Sequence, residues 1–108
     1  MSRQGTVLHH HTDLHHGHAT VHVTGEIDLD SSPRLTAALD RCLRSRPQQV
    51  TVDLTGTTYC DCSGLGALLT AHARAAHRGV PLTVTGVHAA IVARVFAVTG
   101  TDQTLGII

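Results

Sequence analysis

Six of the ten histidines of this chain crowd into one short run, His9-His10-His11-Thr12-Asp13-Leu14-His15-His16-Gly17-His18. Imidazole is a ligand for zinc, copper and nickel. In an extended strand, residues two apart share a face, so His9 and His11 point the same way. His16 or His18 could approach them across a turn, which makes His9, His11, His16 and His18 the candidate metal ligands. The competing reading is compositional: a dense histidine tract binds nickel or zinc weakly without forming a defined site.

The second stretch that could do chemistry is Tyr59-Cys60-Asp61-Cys62-Ser63-Gly64-Leu65-Gly66. Its two thiols stand one residue apart, not in the C-x-x-C spacing of redox and zinc motifs. The third cysteine, Cys42, falls in an apolar helical stripe, so a four-ligand zinc site cannot be assembled from thiols. An odd cysteine count also argues against a disulfide framework. Small side chains filling tight space is the structural reading of the pair; a peroxide-sensing Cys62 is the functional one. Ser63, ahead of Gly64-Leu65-Gly66, has the place of a helix cap. It does not sit in a G-x-S-x-G nucleophile elbow. No phosphate loop is present, and all eight basic residues are arginine, so no lysine could complete one. The expectation is a protein that is not an enzyme and needs no cofactor.

These residues must be positioned by the elements around them. Val7 to Thr12 reads as a first strand and Asp13 to Gly17 as a turn. Ala19-Thr20-Val21-His22-Val23-Thr24 alternates as a half-buried strand does, with Ala19, Val21 and Val23 inward. The two form a hairpin. Gly25 to Asp30 leaves the strand and leads to Ser31-Ser32-Pro33, a helix start in which the serine hydroxyl would satisfy an orphan N–H. Leu35, Ala38, Leu39, Cys42 and Leu43 recur at helical spacing, and the helix should stop before Pro47. Val50 to Leu54 is the next strand, followed by a polar loop from Thr55 to Thr58. A second helix carries Leu65, Leu68, Leu69, Ala73 and Ala76 inward and stops at Gly79. Leu82 to Thr85 is a strand. A third helix, from about His88 to Val98 with Gly100 near its end, buries Ile91, Val92, Val95 and Phe96. Leu105 to Ile108 forms a last short strand or simply packs.

At 108 residues the chain fits one core. Eight basic side chains balance eight acidic ones, and Tyr59 and Phe96 are the only aromatics. Phosphate neutralisation and base stacking are both unsupported by such a composition, so nucleic acid is not an expected partner. No apolar run is long enough to span a membrane, so no membrane insertion is expected. No apolar signal core follows Met1-Ser2-Arg3-Gln4-Gly5, so the expected location is the cytoplasm. Two strands followed by alternating helices and strands predict an α/β sandwich. Its mixed sheet has four to five strands, with helices packed mainly on one face. One domain, residues 1–108, carries a His-rich N-terminal hairpin at about 7–24.

Four segments together resemble the STAS domain: Gly25-Glu26-Ile27-Asp28, the strand Val50 to Leu54, the turn Tyr59 to Gly66, and Val95-Phe96-Ala97-Val98-Thr99-Gly100. That domain is shared by bacterial anti-sigma factor antagonists and the tails of sulfate transporters. The resemblance runs from Val7 to Ile108 and is nearer the stand-alone antagonist type. It implies a STAS-like sandwich acting in transcription regulation: the domain sequesters an anti-sigma factor of the serine-kinase type and so frees a sigma factor. In that family a Ser or Thr directly after the Asp of the turn is phosphorylated, which breaks the complex. Here Cys62 holds that position, leaving Ser63 as the remaining candidate phosphoacceptor. The implied partner surface comprises Asp28, Asp30, Asp61, Cys62, Ser63, Gly64, Leu65 and Gly66, with Leu29 between the first two. Asp61 would be a polar anchor, Ser63 a cap, and the two glycines would permit close backbone approach. The rivals are a STAS subunit regulating a transporter ATPase and a Cys/His-based redox or metal sensor.

Overall fold

The histidine-rich segment folds as an antiparallel hairpin, and helix and strand alternate after it. The computed structural model describes residues 7–99. The elements are β1 (His9–His15), β2 (His18–Ile27), α1 (Ser32–Arg44), β3 (Gln49–Cys60), α2 (Cys62–His77), β4 (Leu82–Thr85) and α3 (Ala90–Thr99). One mixed sheet has the order β1-β2-β3-β4. β1 is antiparallel to β2, while β2, β3 and β4 run parallel. This is the expected α/β sandwich with a mixed four-stranded sheet.

Alternation decides which face is covered. Ala19, Val21, Val23 and Ile27 of β2, Val50, Val52 and Leu54 of β3, and Leu82 and Val84 of β4 are buried in one core. Leu35, Leu39 and Leu43 of α1 pack into it, with Leu65, Leu68, Ala71 and Ala75 of α2 and Val92 and Phe96 of α3. The opposite face carries His11, Asp13, Thr20, His22, Thr51, Asp53, Thr83 and Thr85 in register and stays open. The expected burial of Ile91 and Val95, the position of Gly100 and the last strand at Leu105 to Ile108 fall outside the described residues.

Three strands run further than their patterning predicts. β1 continues through Asp13, Leu14 and His15, so the turn shrinks to His16 and Gly17. Both have positive φ, 52° and 79°, as a tight two-residue hairpin turn requires. The antiparallel pairing continues to the last possible pair, His15 with His18. β2 runs on to Ile27, and the expected loop Thr55 to Thr58 is strand, because β2 and β3 keep pairing up to Ile27–Cys60. Two register irregularities, between His22 and Thr24 and between Gly25 and Glu26, absorb the mismatch. Thr57 enters the core side at 2% exposure and satisfies its hydroxyl by donating to the Val23 carbonyl at 2.9 Å.

The helices need two corrections. Ser31 is the N-cap residue of α1, but its side chain makes no cap bond. The hydroxyl turns back instead, accepting from the Asp28 N–H at 2.9 Å and lying 3.0 Å from the Glu26 carbonyl. On α2, the expected inward positions Ala73 and Ala76 are exposed and Leu69 is only partly buried. Its buried face is Gly64, Leu65, Ala67, Leu68, Ala71 and Ala75. Alanine fits either environment, so an alanine-rich helix marks its inner face poorly. The stripe on α1 is buried as expected, at Leu35, Ala38, Leu39, Cys42 and Leu43, and α1 ends before Pro47.

Candidate functional site

β2 and β3 are parallel neighbours, so their following loops emerge at the same end of the sheet. The Asp61 N–H donates to the Ile27 carbonyl at 3.1 Å, tying the β3–α2 turn to the end of β2. Asp61 itself is extended, with φ −103° and ψ −170°, and is the N-cap of α2. Its Oδ1 accepts from the Ser63 N–H at 2.9 Å and the Gly64 N–H at 3.2 Å, and the Ser63 hydroxyl donates to the same oxygen. The cap is therefore Asp61, and Ser63, expected as the cap, is one of the groups it holds. A carboxylate there also complements the positive end of the helix.

Gly64 has an internal duty. A Cβ on it would lie 2.5 Å from Cys60 Sγ and 2.7 Å from Ile27 Cγ2, so the first turn of α2 rests directly on the strand ends. Gly66 faces open space, with nothing within 4 Å of an added Cβ. Of the eight residues expected at the partner surface, Gly64, Leu65 and Asp28 are buried, Leu65 at 4% exposure. Asp30, Cys62 and Gly66 are exposed, and Asp61 and Ser63 are half-buried. Leu29, expected there between the two aspartates, is 75% exposed. A groove of about 230 Å³ lies alongside, lined by residues including Val7, Glu26, Asp28, Asp30 and Arg34.

The cysteines are all free. Cys42 and Cys60 are buried, which fits small side chains in tight space, whereas Cys62 is exposed. Burial pushes the Cys60 thiol up to about 12, and the neighbouring Asp61 and Cys62 push the same way. Burial also raises the Cys42 thiol above its ordinary value. Cys60, paired with Ile27 at the end of β3, is turned into the core, and Cys62 begins the helix beyond it, so the two thiols face different surroundings.

The hairpin register sorts the histidines. His11 pairs with His22, while His9 pairs with Thr24 and His18 with His15. His18 Nε2 lies 2.7 Å from Thr51 Oγ1, and the His16 ring stacks on His15 with centroids 4.1 Å apart. Of the four expected ligands only His11 enters a group with ligand geometry, and its companions are Asp13 and His22. His9, His16 and His18 are not brought to it: His9 and His18 lie on other rungs of the ladder, and His16 lies in the turn.

A mixed sheet with one helix-covered face, and a capped turn exposed where parallel strands end, defines an α/β module built to present a surface. Residues 10–108 match the family model described as Mlab, STAS domain, and the chain belongs to the STAS domain family. Its fold resembles that of an anti-sigma factor antagonist from Mycobacterium paratuberculosis, 24% identical over 94% of this chain and 85% of that one, with a TM-score of 0.80. An antisigma-factor antagonist STAS domain from Rhodobacter sphaeroides is 21% identical over 73% of this chain and 86% of that one, with a TM-score of 0.65. A sulfate transporter family protein from Wolinella succinogenes is 20% identical over 87% and 75%, with a TM-score of 0.72. At these identities the likeness carries the fold. No curated protein matches the chain. STAS domains are regulatory modules, and among the described residues no helix is long and apolar enough to cross a membrane.

Proposed function

We propose that this chain is a single-domain bacterial cytosolic regulator that docks an anti-sigma factor of the serine-kinase type, releasing a sigma factor without catalysing a reaction. The observation that carries this reading is the exposed lip at the strand ends. Cys62 and Gly66 are open on α2, and Leu29 projects from the preceding loop, which is tied to the same turn. The apolar side chain of Leu29 leaves uncovered area at this end of the sheet that another protein can cover. The likeness to anti-sigma factor antagonists from Mycobacterium paratuberculosis and Rhodobacter sphaeroides supports the choice of partner.

The same geometry argues that docking is not switched by phosphate at the usual position. A thiol stands at Cys62, and the next hydroxyl, on Ser63, is half-buried and donated to Asp61. A phosphate there would place about −1.5 to −2 charges against the Asp61 carboxylate and break the helix cap.

The test is capture by the immobilised full chain from the native cytosol, alongside Cys62→Glu, with the retained proteins identified by mass spectrometry. The expected result is an ATPase-fold anti-sigma factor held by the wild type and lost by the variant, with no phosphate on the chain after incubation with ATP. Equal retention by both would remove the proposed surface. Phosphate on Ser63 would overturn the unswitched reading. Retention of a transporter ATPase instead would establish the second reading, a STAS subunit of a transport machine. Cys62 in place of a phosphorylatable hydroxyl favours that alternative.

A further inference from the structure

The open face of the sheet carries a cluster that partner docking does not use. His11 on β1 and His22 on β2 are directly opposite in the register, and Asp53 on β3 is opposite His22. Asp13 lies two residues along β1 on the same face. His22 thus lies between two carboxylates: its Nδ1 is 3.1 Å from Asp53 Oδ2, and its Nε2 is 3.2 Å from Asp13 Oδ2. His11 Nε2 is 3.8 Å from the same Asp13 oxygen, and the two rings are stacked with centroids 4.6 Å apart.

A neutral imidazole has one N–H to give. Asp53 is firmly set, because its Oδ1 accepts from the Thr55 N–H at 2.9 Å and from the Thr55 hydroxyl. Both flanking carboxylates can only accept, and Asp53 is the one anchored by Thr55 while Asp13 is exposed, so the His22 N–H is assigned to Nδ1, facing Asp53. That leaves the Nε2 lone pair facing an Asp13 lone pair, an arrangement that calls for a cation between them. A proton would serve those two atoms. The third donor, His11 Nε2, makes the set one for a metal ion, since the ligand atoms of His11, Asp13 and His22 all lie within 4.8 Å of one another.

We propose that His11, Asp13 and His22 bind one divalent transition-metal ion of the zinc type on the open sheet face, with Asp53 as the positioning residue for His22. Zinc takes nitrogen and carboxylate ligands at about 2.0–2.2 Å in a tetrahedron, whose ligand atoms are then about 3.3–3.6 Å apart. The Asp13–His22 separation of 3.2 Å is already close to that edge length, and the Asp13–His11 separation of 3.8 Å is slightly wide. His11 and Asp13 are exposed, so rotation of their side chains can close the set. Water would fill the fourth position. The carboxylate on Nδ1 is the arrangement that fixes the tautomer of a metal-binding histidine and raises its basicity. Such an ion would join β1 to β2 through side chains and stabilise the edge strand of the sheet. The site is independent of the partner surface, so either proposal can fail without the other.

The test is titration of the metal-free full chain with Zn²⁺ by calorimetry and with Co²⁺ by visible absorption. Expected are one tight ion per chain and the intense visible bands of tetrahedral cobalt. His22→Ala should weaken the tight step at least tenfold, and so should Asp13→Asn, an exposed change that keeps the strand should the first variant fold poorly. Asp53→Asn should weaken it about tenfold to a hundredfold. A His15→Asn/His16→Asn double variant should leave it within twofold. Loss of affinity in that double variant equal to the loss in His22→Ala would mean that histidine number, not this site, attracts the ion, and the proposal would fall. Absence of a saturable one-to-one step in the wild type would overturn it equally.

Discussion

Cys60 and Cys62 are near neighbours in the chain with opposite chemical prospects. Cys60 lies in the core with its thiol pushed up to about 12, while Cys62 is exposed at the start of α2. An aromatic disulfide reagent at pH 8 should therefore modify one thiol of the native protein rapidly. Cys42 and Cys60 should react only after denaturation; rapid loss of all three thiols would contradict their burial. Cys60 also makes a claim about alkaline stability. Its folded value lies above its unfolded value near 9.0, so the native state holds the proton that the unfolded chain gives up. The stabilisation is complete below about pH 9 and is lost as pH rises from there towards about 12. Cys60→Ala should be less stable than wild type at pH 7, from the space it leaves. The gap should narrow between pH 9 and pH 11 in denaturant titrations.

At the scale of the element, the start of α2 shows how one short motif serves two purposes. Asp61 caps the helix, Gly64 lets its first turn sit on Cys60 and Ile27, and Gly66 lies one half-turn on with nothing near it. The two glycines should consequently answer the same substitution in opposite ways. Gly64→Ala drives a methyl into the strand ends and should cost about 1–3 kcal/mol, as overpacking does. Gly66→Ala removes a flexible residue from a helix interior and should add up to about 1 kcal/mol. Urea unfolding of the two variants checks both signs. The motif Asp-x-Ser-Gly-Leu-Gly was legible as a strand-to-helix turn, but the division of labour within it was not. Which glycine is hemmed in depends on Ile27, a residue more than thirty positions away that only the parallel pairing of β2 and β3 brings near.

For the molecule as a whole, the covered and open surfaces separate stability from recognition. Leu68 is fully buried beneath α1 and the sheet, whereas Leu29 projects from the β2–α1 loop. Leu68→Ala should lower stability by about 2–5 kcal/mol. Leu29→Asp should change it by no more than about 0.5 kcal/mol yet weaken partner binding at least tenfold, measured by surface plasmon resonance with the captured partner. A variant that unfolds as readily as Leu68→Ala would show that Leu29 supports the fold instead.

Local pattern was enough for the helical stripe of α1, the alternation of β2, the short strand β4 and the α/β class itself, because each is written in residues close together in the chain. The STAS resemblance was also carried by short segments. Strand length was not local. Thr55 to Thr58 reads as a loop by composition and becomes strand because β2 lies beside it and supplies the pairing. The inner face of α2 was equally hidden, since alanine accepts either environment and only the contact with α1 and the sheet chooses between them. The histidine site needed more still: a tract suggested imidazole ligands, yet hairpin register selected His11 from it. The same register brought in Asp13, His22 and Asp53, three residues from three strands that no single stretch of sequence groups together.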